Sequence, residues 1–178
     1  ACTTYIGFVP AVTLGLKGQT NCDGLLLDPW GRPYRYSVTD DDRGGINGDD
    51  FVVSGQLRDP PVGEGIANAE PDLRVCRNLG AACIDGTLAE DIIADNVAAV
   101  IFSMGTRSRG NNVAEDENAG EGTPLPSTCG LSAYPIGNDR FYYAANRNEI
   151  AGQEFDDNLI WISPHILYSK LLQAGQIP

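Results

Sequence analysis

Apolar and polar positions along this chain fall in short blocks, a spacing that predicts brief strands joined by long turns. Residues 7–16 are apolar with Pro10 near the middle, and proline there points to an extended lead-in segment. Asp28-Pro29-Trp30-Gly31-Arg32-Pro33 is a turn cluster, and Tyr34-Arg35-Tyr36-Ser37-Val38, aromatic and β-branched, is the strand leaving it. A glycine and aspartate loop over 40–50 leads to a second strand, Phe51-Val52-Val53-Ser54, so the pair reads as a hairpin with a long acidic tip. Leu73-Arg74-Val75-Cys76 is a short strand. Thr87-Leu88-Ala89-Glu90 has capping-box spacing and predicts a short helix to about Ala94. The apolar run 97–103 predicts a buried central strand. Phe141-Tyr142-Tyr143-Ala144 is a further strand, with its tyrosines on alternate faces. Leu159-Ile160-Trp161-Ile162 reads as a buried strand, which makes Trp161 a core residue. Ser163 and Pro164 supply an N-cap and a first helical residue for a last helix to about Ala174. It carries Ile166, Leu167, Leu171 and Leu172 on one face and stops at Gly175. The polar segment 105–127 is longer than a plain connection, which marks it as functional or mobile.

The composition fits one domain over residues 1–178, with a hydrophobic fraction of 42% that suffices for a core. Its 21 glycines and 11 prolines favour a turn-rich α+β or β-rich fold over a helix bundle. The net charge of −12 repels phosphate backbones and anionic membrane surfaces, which argues against nucleic acid and lipid as partners. Divalent cations are the natural counter-ligands, and solubility alone is the plainer account of the charge. No run of about 18 apolar residues occurs, so nothing here spans a bilayer, and no direct membrane contact by this chain is expected. The five cysteines, Cys2, Cys22, Cys76, Cys83 and Cys129, contain no C-x-x-C pair, and one histidine cannot complete a His-rich zinc site. They point instead to disulfides in an oxidising compartment, extracellular or periplasmic. Cys76 and Cys83 are close enough in sequence to staple a loop. The odd count leaves one free thiol or one bond to another chain.

The chemistry of catalysis is sparse. His165 is the single histidine, at the start of the last helix, and a surface position there explains it without a catalytic role. No nucleophile elbow, Walker or dinucleotide glycine motif occurs. Paired carboxylates are frequent (Asp49/Asp50, Glu115/Asp116, Asp156/Asp157), and glycosidases use such pairs, yet with 24 acids in the chain adjacency needs no special cause. The reading is therefore not an enzyme. Calcium binding is the sharper idea, since loop carboxylates and amides are its ligands. Asp40, Asp42, Asn47 and Asp49 punctuate one glycine loop, although Gly44 and Phe51 stand where an EF-hand places ligands. Glu115-Asp116-Glu117-Asn118 is the second candidate. A solvated acidic loop is the plainer account of either one alone.

Three stretches together carry a family resemblance. They are Val12-Thr13-Leu14-Gly15-Leu16 with the turn and strand from Asp28 to Tyr36; Ala99-Val100-Ile101-Phe102-Ser103-Met104-Gly105 followed by Glu115-Asp116-Glu117-Asn118; and Phe155-Asp156-Asp157-Asn158-Leu159-Ile160-Trp161-Ile162-Ser163 with the closing helix. In this order and spacing they resemble the D-x-W-G-x-P-Y-x-Y, F-S-x-G and F-D-D…W-I-S elements of type IV pilin-like proteins and type II secretion pseudopilins. About half of the chain is covered.

The resemblance implies an antiparallel-sheet pilin-like head with short helices, a C-terminal helix and long loops. It also implies a long N-terminal stalk helix packed on the sheet, anchoring the subunit before it builds the filament core. That helix is missing here, and is expected either in cis or as a separate chain. The implied role is a structural subunit of a cell-surface or secretion filament, with other pilin-like subunits as partners. By position, the calcium loop of the major pseudopilins maps onto Glu115, Asp116, Glu117 and Asn118, with Asp156 and Asp157 adding oxygens if their strand lies beside the loop. Arg107 and Arg109 depart from that pattern. An upstream R-L-P-C-P element of such relatives is absent, so Cys2 has lost its partner, bonds a separate chain, or pairs with Cys22 and leaves Cys129 free. Arg32 and Arg35 suit either a neighbouring subunit's carboxylates or an intramolecular pair, and Trp30 reads as a packing anchor. A secreted calcium-dependent adhesin or glycan-binding module is the alternative function.

Overall fold

The computed structural model describes residues 6–39, 71–77, 91–105, 141–143 (backbone) and 156–175. The elements are β1 (Ile6–Phe8), α1 (Ala11–Leu14), β2 (Arg35–Val38), β3 (Leu73–Cys76), β4 (Ile92–Val97), β5 (Ala99–Ser103), β6 (Phe141–Tyr143), β7 (Asn158–Ile162) and α2 (Pro164–Gln173). Two sheets result. One is antiparallel throughout, in the order β1-β2-β5-β7; the other runs β4-β3-β6, with β3 and β6 parallel. The described fold is thus mixed α and β, built largely on antiparallel pairing.

The apolar run 97–103 does not form one strand. Val97 ends β4 in the second sheet, Ala98 bends, and Ala99 opens β5 in the first. Asn96, with φ 54, sits in a bulge where Leu73 pairs with Val97 but Val75 pairs with Ala94. Asparagine tolerates this left-handed backbone better than other side chains, and a bulge turns a strand sharply. One covalent segment therefore feeds both sheets, and they share a core. Leu73, Val75, Val97, Val100, Phe102 and Met104 form it, with Ala94 and Leu159 packed against it. Burying Phe102 alone contributes about 2–3 kcal/mol. A smaller cluster joins Ile6 and Phe8 to Leu25.

The register assigns the faces of the four-stranded sheet. Val100 pairs with Ser37 and Trp161, and Phe102 with Arg35 and Leu159, all on the core face. Tyr36–Ile101–Ile160 and Val38–Ala99–Ile162 form apolar rows on the other face, where none of the six is buried. Gly7 pairs with Tyr36, whose ring lies 3.1 Å from where a Cβ on Gly7 would be.

Several expectations change. Ile92, Ile93 and Ala94 are strand, not the end of a helix, because they supply the antiparallel partner of β3. Residues 11–14 form a single helical turn after Pro10 rather than extended chain, closed by Gly15 at φ 65. Among the described residues both sides of β2 are occupied, by β1 and β5, and the expected second strand at 51–54 lies outside the described residues. β7 is the last strand of its sheet among the described residues, and Ile160 (64% exposed) and Trp161 (37%) are not core. The last helix keeps its expected bounds, with Ser163 as N-cap and Gly175 at φ 64, but none of its residues is fully buried. Residues 40–54, the capping box at Thr87–Glu90, most of 105–127, and Cys2, Cys83 and Cys129 lie outside the described residues. Cys22 and Cys76 are each disulfide-bonded, and their expected partners, Cys2 and Cys83, lie outside the described residues.

Candidate functional site

The site lies where β5 ends and β7 begins. Its foundation is the turn at 28–33. Asp28 precedes a proline, the order favoured at the opening of a type I turn. The Gly31 N–H donates to the Asp28 carbonyl at 3.0 Å, and Gly31 takes φ 79, which glycine allows at little cost. Asp28 Oδ1 accepts from the N–H groups of Trp30 and Arg32, at 2.9 and 2.8 Å. The carboxylate thus rigidifies its own turn, with Trp30 39% exposed, and beyond the turn the Tyr34 carbonyl accepts from the Val9 N–H at 3.0 Å.

The other oxygen of Asp28 leaves the turn. Asp28 Oδ2 accepts from Ser103 Oγ at 2.5 Å, and Ser103 Oγ accepts in turn from the Gly105 N–H at 3.1 Å. Asp28 and Ser103 are 2% and 1% exposed. Gly105 has φ 59, and a Cβ there would stand 2.5 Å from the Asp156 carboxyl carbon and 2.6 Å from the Asp156 carbonyl oxygen. Ser103 pairs with Asn158, so Asp156 and Asp157 arrive beside Gly105 through the β5–β7 register. Asp28, Ser103, Gly105 and Asp156 come from the three stretches that carry the resemblance, and they meet at one end of one sheet.

This places two of the expected calcium ligands, Asp156 and Asp157, half-buried beside the start of the 105–127 segment. Glu115, Asp116, Glu117 and Asn118 lie outside the described residues. Among the described residues, no three acidic, histidine or cysteine side chains are grouped for a metal ion. His165 is exposed at the second position of α2. Among the described residues no helix is long and apolar enough to cross a membrane.

Arg35 does not reach outward. It is 5% exposed, with its guanidinium 5.8 Å from the centre of the Phe8 ring, a cation–π contact that the β1–β2 register sets up. Arg74 pairs with Asp95 at 3.1 Å across the second sheet. A second buried pair was not legible in sequence. Thr39 Oγ1 donates to Asp72 Oδ1 at 2.5 Å and accepts from the Asp72 N–H at 2.8 Å, tying the end of β2 to the approach to β3.

Comparison with protein-family models, curated proteins and solved structures gives no match to this chain.

Proposed function

We infer that this chain is the head of a pilin or pseudopilin: a structural, non-catalytic subunit of an extracytoplasmic type IV pilus-like or type II secretion filament. One observation carries the reading. The three sequence stretches that resemble pilin-like elements are joined physically, through Asp28, Ser103, Gly105 and Asp156, at one end of an antiparallel sheet. The Asp28–Ser103 hydrogen bond links two of these stretches across 75 residues, and the close approach of Asp156 to Gly105 adds the third. The outer sheet face of Tyr36, Val38, Ala99, Ile101, Ile160 and Ile162 adds to this. It is apolar and incompletely covered, as a face that receives a hydrophobic helix would be. Calcium at Asp156, Asp157 and the 115–118 segment belongs to the same reading, and would pin the loop on the outer end of the head.

The test is imaging of native filaments with mass mapping of this chain within them, together with the gene sequence upstream. A leader followed by a hydrophobic helix with a glutamate at its fifth residue is the expected result. An ordinary secretory signal with no such helix, and filaments lacking this chain, would overturn it. Glycan binding by the isolated head would favour the adhesin instead.

A further inference from the structure

Strand edges carry unpaired N–H and C=O groups, and proteins protect them with lysine, proline, bulges or covering segments. β7 shows none of these protections among the described residues. Asn158-Leu159-Ile160-Trp161-Ile162 has no charge and no proline, pairs with β5 without a register shift, and leaves Ile160 and Trp161 exposed.

Charge lies at its two ends and is opposite in sign. Asp156 and Asp157 precede the strand. Ser163 and the N-terminus of α2 follow it, and this ten-residue helix has no acidic residue in its first turn to answer the positive end of its dipole. We propose that β7 pairs with β7 of a second copy, antiparallel about a two-fold axis at Ile160. In that register Ile160 faces Ile160, each Leu159 faces the other copy's Trp161, and each Asp157 faces the other copy's Ser163 at the helix start. Both acidic ends then meet a helix N-terminus. A parallel pairing sets acid against acid, and like charges directly opposite are destabilising. Charge complementarity thus selects the occupant and its direction.

The contact is isologous, unlike the helical relation between filament subunits, and it draws on Asp157 and Ile160, which the filament reading also uses, so it is a contact of the calcium-free head. It joins heads side by side, and the four described strands of each sheet continue into those of the other copy. Pairing five residues a side falls well under the roughly 1,200 Å² of a stable interface, so the dimer is a weak one. The chain charge of −12 opposes association at low salt. A solution near 0.15 M salt, where the screening length is about 8 Å, is therefore the condition to use.

Sedimentation of the folded chain from roughly 1 µM to 1 mM tests it. Expected is a rise from the 19.0 kDa monomer toward twice that mass. I160K and I160E each place like charges across the axis and abolish the rise, while an equimolar mixture of the two restores it. In the wild type, amide exchange over residues 158–162 slows with concentration, a readout that holds even if a variant folds poorly. A wild type that stays monomeric throughout overturns the proposal and leaves the edge to an extended segment of some other protein. A dimer that persists in I160K, with no slowing at 158–162, overturns it equally.

Discussion

The Ser103 hydroxyl donates to Asp28 Oδ2 at 2.5 Å while accepting from the Gly105 N–H, so one buried serine joins the turn at 28–33 to the end of β5. Ser103→Ala leaves a buried carboxylate oxygen without its donor and a backbone N–H without its acceptor. Leaving such groups unsatisfied costs about 1–3 kcal/mol, and more where the group is charged. The urea midpoint is expected to fall accordingly, with Trp30 fluorescence changing before the global transition because its turn is released. Unchanged stability in Ser103→Ala would remove the hydrogen bond from the account of the fold.

Gly105 and Gly15 separate two effects of the same substitution. Both take positive φ, 59 and 65, and alanine in that region costs about 1–2 kcal/mol. At Gly15 nothing lies within 4 Å of the added Cβ, so Gly15→Ala costs only this backbone term. At Gly105 the Cβ would lie 2.5 Å from the Asp156 side chain and 2.6 Å from its carbonyl oxygen. Gly105→Ala must displace the approach to β7 as well, and is expected to lose clearly more stability than Gly15→Ala in parallel denaturation curves. Equal losses would contradict the packing of Asp156 on Gly105.

Thr39 and Asp72 bond reciprocally, side chain to side chain and backbone to side chain, with both residues buried. Thr39→Val keeps the shape and removes the hydroxyl, an expected loss of about 1–3 kcal/mol. Thr39→Ser keeps the hydroxyl and is expected to lose less. The order of the two unfolding midpoints distinguishes hydrogen bonding from loss of a methyl group.

Much of this fold was legible in sequence where the signal is local. β2 follows from an aromatic and β-branched run, β3 from the short block Leu73–Cys76, β5 from the greater part of the apolar run 97–103, and the last helix from Ser163-Pro164 and Gly175. What sequence did not disclose depends on partners distant in the chain. Ile92–Ala94 looked helical because of Thr87 and Glu90, yet strand β3 claims them for pairing. Trp161 looked buried because its neighbours are apolar, but burial depends on sheet position, and β7 ends its sheet among the described residues. The site was half visible. Asp28, Ser103, Gly105 and Asp156 all stood in recognisable stretches, and the Asp-Pro-Trp-Gly order announced the turn, while the bond from Asp28 to Ser103 had no local signature. Thr39 and Asp72 carried no signal at all.

Asp156 and Asp157 stand beside the start of the 105–127 segment, and the calcium reading makes a quantitative claim about them. An extracytoplasmic site of ordinary affinity binds calcium at about 0.1–1 mM. At roughly 10 mM calcium, a ligand bound only by the folded state then stabilises it by about 1.4–2.7 kcal/mol. For a domain of this size that is a rise in Tm of roughly 3–10 °C, reversed by a chelator. Asp156→Asn and Glu117→Gln are each expected to reduce the rise, and Asp42→Asn to leave it intact, since residue 42 belongs to the other acidic loop. A melting temperature indifferent to millimolar calcium would sink the cation site without touching the buried Asp28–Ser103 link. A rise abolished by Asp42→Asn alone would move the site to the 40–50 loop.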